Sequence, residues 1–357
     1  MHSLRIFSSI IFSVILFCGV STTVFADTPS SATPHALLYV TATKSGIDSL
    51  RKHVTAMDIV APQTYAATKT GKLLGSPSQT ILKIASDAGA QVMPLVVNQY
   101  FSQNDVHAFL QNDTAENKLI IDLIAEAKLR GYIGFQYDFE HMMASDRDLY
   151  SAFVAKSAPY FHAAGLQLSV ALAPRHSDAI ADYGGGSYEN WTGAFDYTAI
   201  GKSVDFVSVM AYDDSRSVGP TAALPWVKQV VDYTLARIPA NKVSLGVAFY
   251  TWVDRVKTGK LDHIVTYGSV AKLLSSGAYQ TKGWSDDLGV SYVTYVKQNR
   301  QYIAWYEDQR SFQTKLALVT DKNLRGFSAW ALGQEDDRVW SDIIAMRARP
   351  DGLAFLQ

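Results

Sequence analysis

Short apolar runs recur along the chain after residue 35, each followed by a polar or helical stretch. They fall at Leu37–Ala42, Ile59–Gln63, Val92–Val97, Tyr132–Phe139, Leu168–Ala173, Phe206–Tyr212, Val243–Phe249 and Gly326–Ala331. Between them the apolar positions change to helical spacing. The clearest case is Ala115–Leu129, with Leu119, Ile120, Leu123, Ile124 and Ala127 on one face. Helices are also predicted over Pro77–Ala88, Arg147–Ala164, Ala223–Arg237, Phe312–Thr320 and Arg338–Met346. Near-continuous apolar strands alternating with helices argue an α/β fold whose parallel sheet is covered by helices. Eight such units predict a (β/α)8 TIM barrel over residues 36–350.

A doubly wound open sheet would carry a glycine-rich turn after its first strand. Here that turn is Thr41-Ala42-Thr43-Lys44, which has none. Gly184-Gly185-Gly186 opens no evident helix and reads as a surface loop. The long interval Thr251–Phe312, between strands seven and eight, holds β-branched and aromatic runs such as Tyr292-Val293-Thr294-Tyr295-Val296. It predicts a small inserted α+β lobe over 251–312.

The first 26 residues read as a secretory signal peptide. Arg5 supplies the positive start, Ile10–Val20 the apolar stretch, and Val24-Phe25-Ala26 the cleavage site. Residues 27–35 read as a flexible lead-in. The one cysteine, Cys18, leaves with the signal, so the mature chain is expected to contain no disulfide. A secreted, periplasmic or cell-envelope location follows, with no membrane span in the mature chain. The composition is that of a folded globular protein, 48% hydrophobic and 18% charged, with formal net charge −1. That balance argues against a nucleic-acid partner. A monomer is expected.

Candidate chemistry sits where barrel strands end. The fourth run finishes Gly134-Phe135-Gln136-Tyr137-Asp138-Phe139-Glu140. Period-2 alternation puts Gln136, Asp138 and Glu140 on the inner side and the three aromatics on the outer. Two carboxyl groups that close cannot ionise independently, and a raised pKa is what a general acid needs. The same pair would equally suit capping of the next helix. His141, Asp146 and Asp148 lack metal-ligand spacing and read as a solvated helix start. Arg175-His176 reads as an exposed loop pair, and Glu335-Asp336-Asp337 as acids at a helix N-terminus.

Asp138-Phe139-Glu140 resembles the end of the D-x-x-D-x-D-x-E signature of family 18 glycoside hydrolases, the chitinase-like family. Met210-Ala211-Tyr212-Asp213 matches that family's M-x-Y-D at strand six, and Trp330 the tryptophan at strand eight. Leu245–Tyr250 and Gly326–Gly333 are similar to the spore-cortex and peptidoglycan branch. The sequence departs from typical chitinases at Ile133 and Gln136, which stand in place of the first two aspartates.

The resemblance implies cleavage of β-1,4 linkages next to N-acetylglucosamine, in peptidoglycan or chitin-type glycans, by a retaining, substrate-assisted mechanism. It implies Glu140 as acid and base, Asp138 as the group orienting the substrate acetamide, and Tyr212 as its hydrogen-bond donor. Trp330 would lie under the sugar, and Asp213, Gln136, Met210, Tyr39 and Tyr250 would line the substrate site. Tyr39, Tyr65, Tyr250 and Trp252 fall at strand ends, where they serve either as sugar platforms or as core. No metal or organic cofactor is implied. The alternative from another class is a weak or inactive chitinase-like lectin that binds the same glycans. Glu140 counts against it, Gln136 and Ile133 for it. A barrel whose cleft the 251–312 lobe blocks is a third.

Overall fold

The computed structural model describes residues 34–214 and 219–348. The predicted signal peptide and nearly all of the lead-in lie outside the described residues. In chain order the first strands are β1 (His35–Val40), β2 (Ile59–Ala67), the two-residue β3 (Leu73–Leu74) and β4 (Gln91–Val92), and β5 (Leu95–Asn98). They are followed by β6 (Gly134–Asp138), β7 (Gln167–Leu172), β8 (Phe206–Val209) and β9 (Val243–Ala248). An inserted sheet, β10–β14, separates these from β15 (Gly326–Trp330).

β1, β2, β5, β6, β7, β8, β9 and β15 pair in parallel, each with the next, and β15 returns to β1. The ring is therefore closed, and the chain is a (β/α)8 barrel. Its helices are α1 (Lys44–His53), α2 (Gln79–Asp87), α3 (Gln103–Leu110), α4 (Asp113–Arg130), α5 (Arg147–Ala163), the one-turn α6 (Ser187–Asn190), α7 (Tyr197–Ser203) and α8 (Leu224–Leu235). After α9 (Tyr267–Ser276) in the insert come α10 (Gln309–Asp321) and α11 (Val339–Arg347).

Local chemistry accounts for the elements. The α4 helix starts where the Asn112 side chain accepts a hydrogen bond from the Ala115 N–H, and stops at Gly131 in the left-handed region at φ 72°. Leu119, Ile120, Leu123 and Ala127 form its buried stripe. Helices α1, α3, α6, α7 and α9 escape the apolar pattern. α1, for example, offers only Ile47 and Leu50 as large apolar residues, but Thr43 caps it through the Gly46 N–H. The sixth strand ends earlier than its apolar run, at Val209. There the Ala211 and Tyr212 amides donate to carbonyls only two residues back, which turns the chain out of the ladder.

Strand β6 shows how the barrel divides its two faces. Phe135, Tyr137 and Phe139 are fully buried on the outer side. Phe139 packs against Phe109, Tyr150 and Phe153, and Tyr137 stacks on Phe153 with ring centres 5.0 Å apart. Gly134 lets β7 come close, because a Cβ there would run into the Gln167 carbonyl. On the inner side Gln136 spans the barrel. It accepts from the Tyr39 hydroxyl at 2.7 Å and donates to Ser169 and Ser208 at 2.8 and 3.0 Å.

The segment after β9 builds an antiparallel sheet in the order β11-β10-β14-β13-β12. Its strands are β10 (Tyr250–Arg255), β11 (Lys260–Thr266), β12 (Thr281–Ser285), β13 (Val290–Lys297) and β14 (Arg300–Tyr306). Val253, Val270, Val293, Tyr302, Ala304 and Tyr306 give this sheet and α9 a core of their own.

Where the chain leaves β14 for α10, Lys315 is buried with Glu307. Its ammonium reaches both carboxylate oxygens, at 2.8 and 2.6 Å, and Ser311 donates to one of them. Lys315→Ala strands a buried carboxylate. It should cost about 3–5 kcal/mol in chemical denaturation, and Lys315→Met with Glu307→Leu should recover most of that. A loss under about 1 kcal/mol for the single variant would mean that the pair is hydrated.

Candidate active site

The C-terminal ends of the strands open into a cavity of about 430 Å³. Asp138 and Glu140 come to it from β6, Tyr39 from β1, Trp330 from β15 and Tyr250 from β10. Met210, Tyr212 and Asp213 reach it from the turn after β8. Gln136, one step deeper than Asp138, is fully buried below the cavity, not in its lining. Its amide is occupied by Tyr39, Ser169 and Ser208, so the substrate-site position expected for it is corrected to a support role under the floor.

The turn after β8 does the positioning on one side. Asp213 sits at φ 64°, a left-handed conformation that costs a non-glycine residue energy. Its carboxylate accepts from the Tyr250 hydroxyl at 2.5 Å. The Tyr212 and Tyr250 rings meet edge to face with centres 6.1 Å apart. Trp330 tilts against Tyr39 at 5.5 Å.

Electrostatically the cavity is unusual in what it lacks. Among the described residues no lysine or arginine contributes to the field at Asp138 or Glu140. Burial alone pushes Asp138 up to about 7, and its Oδ1 has no hydrogen-bond partner. Glu140 is pushed well above the carboxyl range, first by burial and then by the charges of Asp138 and Asp213. The Trp191 indole opposes this weakly, without completing a hydrogen bond. Asp213 rises to about 6 through burial, against the Tyr250 hydrogen bond that favours its charge. The helix-cap reading of the Asp138/Glu140 pair does not hold, since the helix that follows, α5, has Asp146 at its N-cap.

Several sequence expectations change. Tyr65 points away from the cavity, buried in the outer layer with its hydroxyl donating to Glu126 at 2.7 Å. Trp252 packs against the barrel core and does not line the cavity. Asp146 is not solvated: it is fully buried, 2.6 Å from His107 of α3. Arg175 is likewise buried, not exposed. It bonds the Phe195 carbonyl and Asp178, and its guanidinium lies over the rings of Tyr188 and Tyr233. The glycine run Gly184–Gly186 leads into α6, with Gly186 in the left-handed region as its N-cap. Asp336 and Asp337 are engaged by Arg338 and by Lys52 and His53, not merely by a helix terminus.

Sequence reading missed Phe101, Trp191, Gln63, Ile264 and Gln334, which line the cavity. Phe101 and Trp191 flank His141, with ring centres 6.1 and 6.2 Å away. The signal for them was weak, an aromatic soon after the third strand and another beyond the glycine run. Among the described residues no group of three or more metal-ligating side chains is suitably arranged. No described helix is long and apolar enough to cross a membrane.

Paired acids in an aromatic-walled cleft at the mouth of a (β/α)8 barrel are the equipment of a glycoside hydrolase. Residues 38–335 match the model of glycosyl hydrolases family 18, and the chain belongs to that family. Among similar proteins is the uncharacterized glycosylase YvbX of Bacillus subtilis (strain 168), 28% identical over 317 residues, 85% of this chain and 89% of that one. The cortical fragment-lytic enzyme of the same organism is 29% identical over 286 residues. That match takes in 78% of this chain and 65% of the relative, so the chain spans just under two thirds of that enzyme's length. Among solved structures, the spore cortex-lytic enzyme SleL of Bacillus megaterium QM B1551 superposes with TM-score 0.77 at 24% identity, over 88% of this chain and 74% of that one. A chitinase from Chromobacterium violaceum ATCC 12472 gives 0.78 at 22%, over 88% and 99%. Both likenesses are at the level of the fold.

The buried acids have a consequence for stability. A carboxyl whose pKa rises on folding stabilises the fold while protonated and weakens it as pH climbs from the unfolded to the folded value. For Asp138 that window runs from about 4 to about 7. Asp138→Asn should therefore match the wild type in melting temperature near pH 4 and exceed it near pH 8. A difference that fails to widen with pH would show the carboxyl to be hydrated.

Proposed function

We propose that the protein is a secreted or envelope-located hydrolase that cuts β-1,4 bonds next to N-acetylglucosamine, with peptidoglycan as the preferred polymer and chitin second. The observation that carries the reading is the Asp138/Glu140 pair, Asp138 buried and Glu140 half-buried, with no cation among the described residues beside them, in an aromatic-walled cleft. The kinship with cortical fragment-lytic enzymes favours peptidoglycan. The leader over residues 1–26 would direct the chain out of the cytoplasm.

Glu140 holds a proton near neutral pH and gives it to the glycosidic oxygen as the bond to C1 breaks. The carbonyl oxygen of the substrate's own 2-acetamido group forms the new bond to C1 and yields an oxazolinium ion, with net retention after the second step. Asp138, with an unpartnered oxygen facing this event, orients the acetamide N–H and stabilises the positive charge. The Tyr212 hydroxyl donates to the acetamide carbonyl and holds it in line. Water then attacks C1, breaking the bond to the acetamide oxygen and restoring the 2-acetamido group, and loses its proton to the Glu140 carboxylate. Trp330 and Tyr39 present ring faces to the sugar, and Asp213, held by Tyr250, accepts from one of its hydroxyls. Met210 packs beside them.

Mass spectrometry of products from N-acetylglucosamine oligomers and from purified peptidoglycan tests the reading. Wild type should release fragments, and Glu140→Gln should lose activity by about 10²–10⁴-fold while still binding oligomers. Oligomer binding by both proteins with turnover by neither would instead identify a lectin.

A further inference from the structure

The ladder between β5 and β6 stops before the acid it leads to. Its last paired residues are Val97 and Asp138, two positions short of Glu140. Just past Glu140 the chain turns sharply, with His141 at φ 53°. No basic side chain among the described residues fixes the Glu140 carboxyl. Its direction therefore depends on how firmly this short length of backbone is held.

One buried side chain holds it on both sides. Asn98, the last residue of β5, is 2% exposed. Its Oδ1 accepts from the Glu140 N–H at 2.9 Å, and its Nδ2 donates to the Glu140 carbonyl oxygen at 3.0 Å. A carboxamide carries donor and acceptor side by side, as a peptide unit does. Here it continues the strand ladder past the point where the backbones have separated. Phe139, packed into the outer layer, pins the preceding residue the other way.

We propose that Asn98 is a positioning residue for Glu140, aiming its carboxyl at the glycosidic oxygen by clamping the backbone that carries it. This rests on Glu140 being the acid, as proposed above. A misdirected acid loses proton transfer to a poor leaving group, yet matters little where the leaving group departs without a proton.

The test compares kcat/KM, which reports through the first irreversible step, on two substrates: a β-1,4 N-acetylglucosamine tetramer and the 2,4-dinitrophenyl glycoside of the N-acetylglucosamine dimer. Asn98→Ala should lose about 30-fold or more on the tetramer and less than about threefold on the dinitrophenyl glycoside. Asn98→Asp keeps the acceptor and lacks the donor, so it should show the same selectivity, less strongly. Equal losses on the two substrates, no loss on either, or failure of both variants to fold would overturn the proposal and leave Asn98 a fold residue. Glu140→Gln run alongside separates the two claims. If it still cleaves the tetramer, the assignment of the acid has failed, whatever Asn98 does.

Discussion

Carboxyl groups gathered with no cation among the described residues beside them are the constraint around which the mouth of this barrel is arranged. A carboxylate taken out of water and left unpaired is costly, so a protein that buries one normally supplies an arginine or a lysine. Glu307, buried against Lys315, is such a case. At the cleft Asp138, Glu140 and Asp213 are instead neighbours of one another. Proton retention takes the place of ion pairing, and readiness to give up a proton is the property a hydrolase needs. The fold tolerates this because a large aromatic outer layer, Phe135, Tyr137 and Phe139 with their partners, secures the same strand from behind.

The uncharged bridge below the acids belongs to the same arrangement. Gln136 satisfies Tyr39, Ser169 and Ser208 with its single amide, whereas an aspartate there would add another buried carboxyl and lose the donor. Its hydrogen bonds are all directed within the barrel interior, so Asp138 receives none from it. The departure from the typical chitinase signature is thus matched by a network that uses both ends of the amide.

Much of this was legible in the chain. The eight apolar runs place every barrel strand to within a few residues, because strands buried on both faces have little polar interruption. The alternation in Gly134–Glu140 separates inner from outer side chains by period alone. Strand ends were harder to read: apolar character persists through Met210–Tyr212, where backbone hydrogen bonding has already changed. Hardest were residues whose surroundings come from far along the sequence. Arg175 reads as an ordinary loop arginine until Tyr188, Phe195 and Tyr233 close over it. Asp146 needs His107, 39 residues earlier, to be understood as buried. Asn98 carries no motif, and its meaning lies wholly in the geometry of a neighbouring strand.

The inserted sheet has a hydrophobic core separate from that of the barrel, yet Ile264 on its second strand, β11, forms part of the cleft wall. The cleft is therefore assembled from two parts with separate sources of stability. Substitutions on β11 can reshape the Ile264 side of the cleft while Asp138 and Glu140 stay on the barrel, whereas Tyr250 on β10 ties the lobe to Asp213. Which glycan the cleft admits and how well its bond is broken can then be shaped by partly different sets of residues.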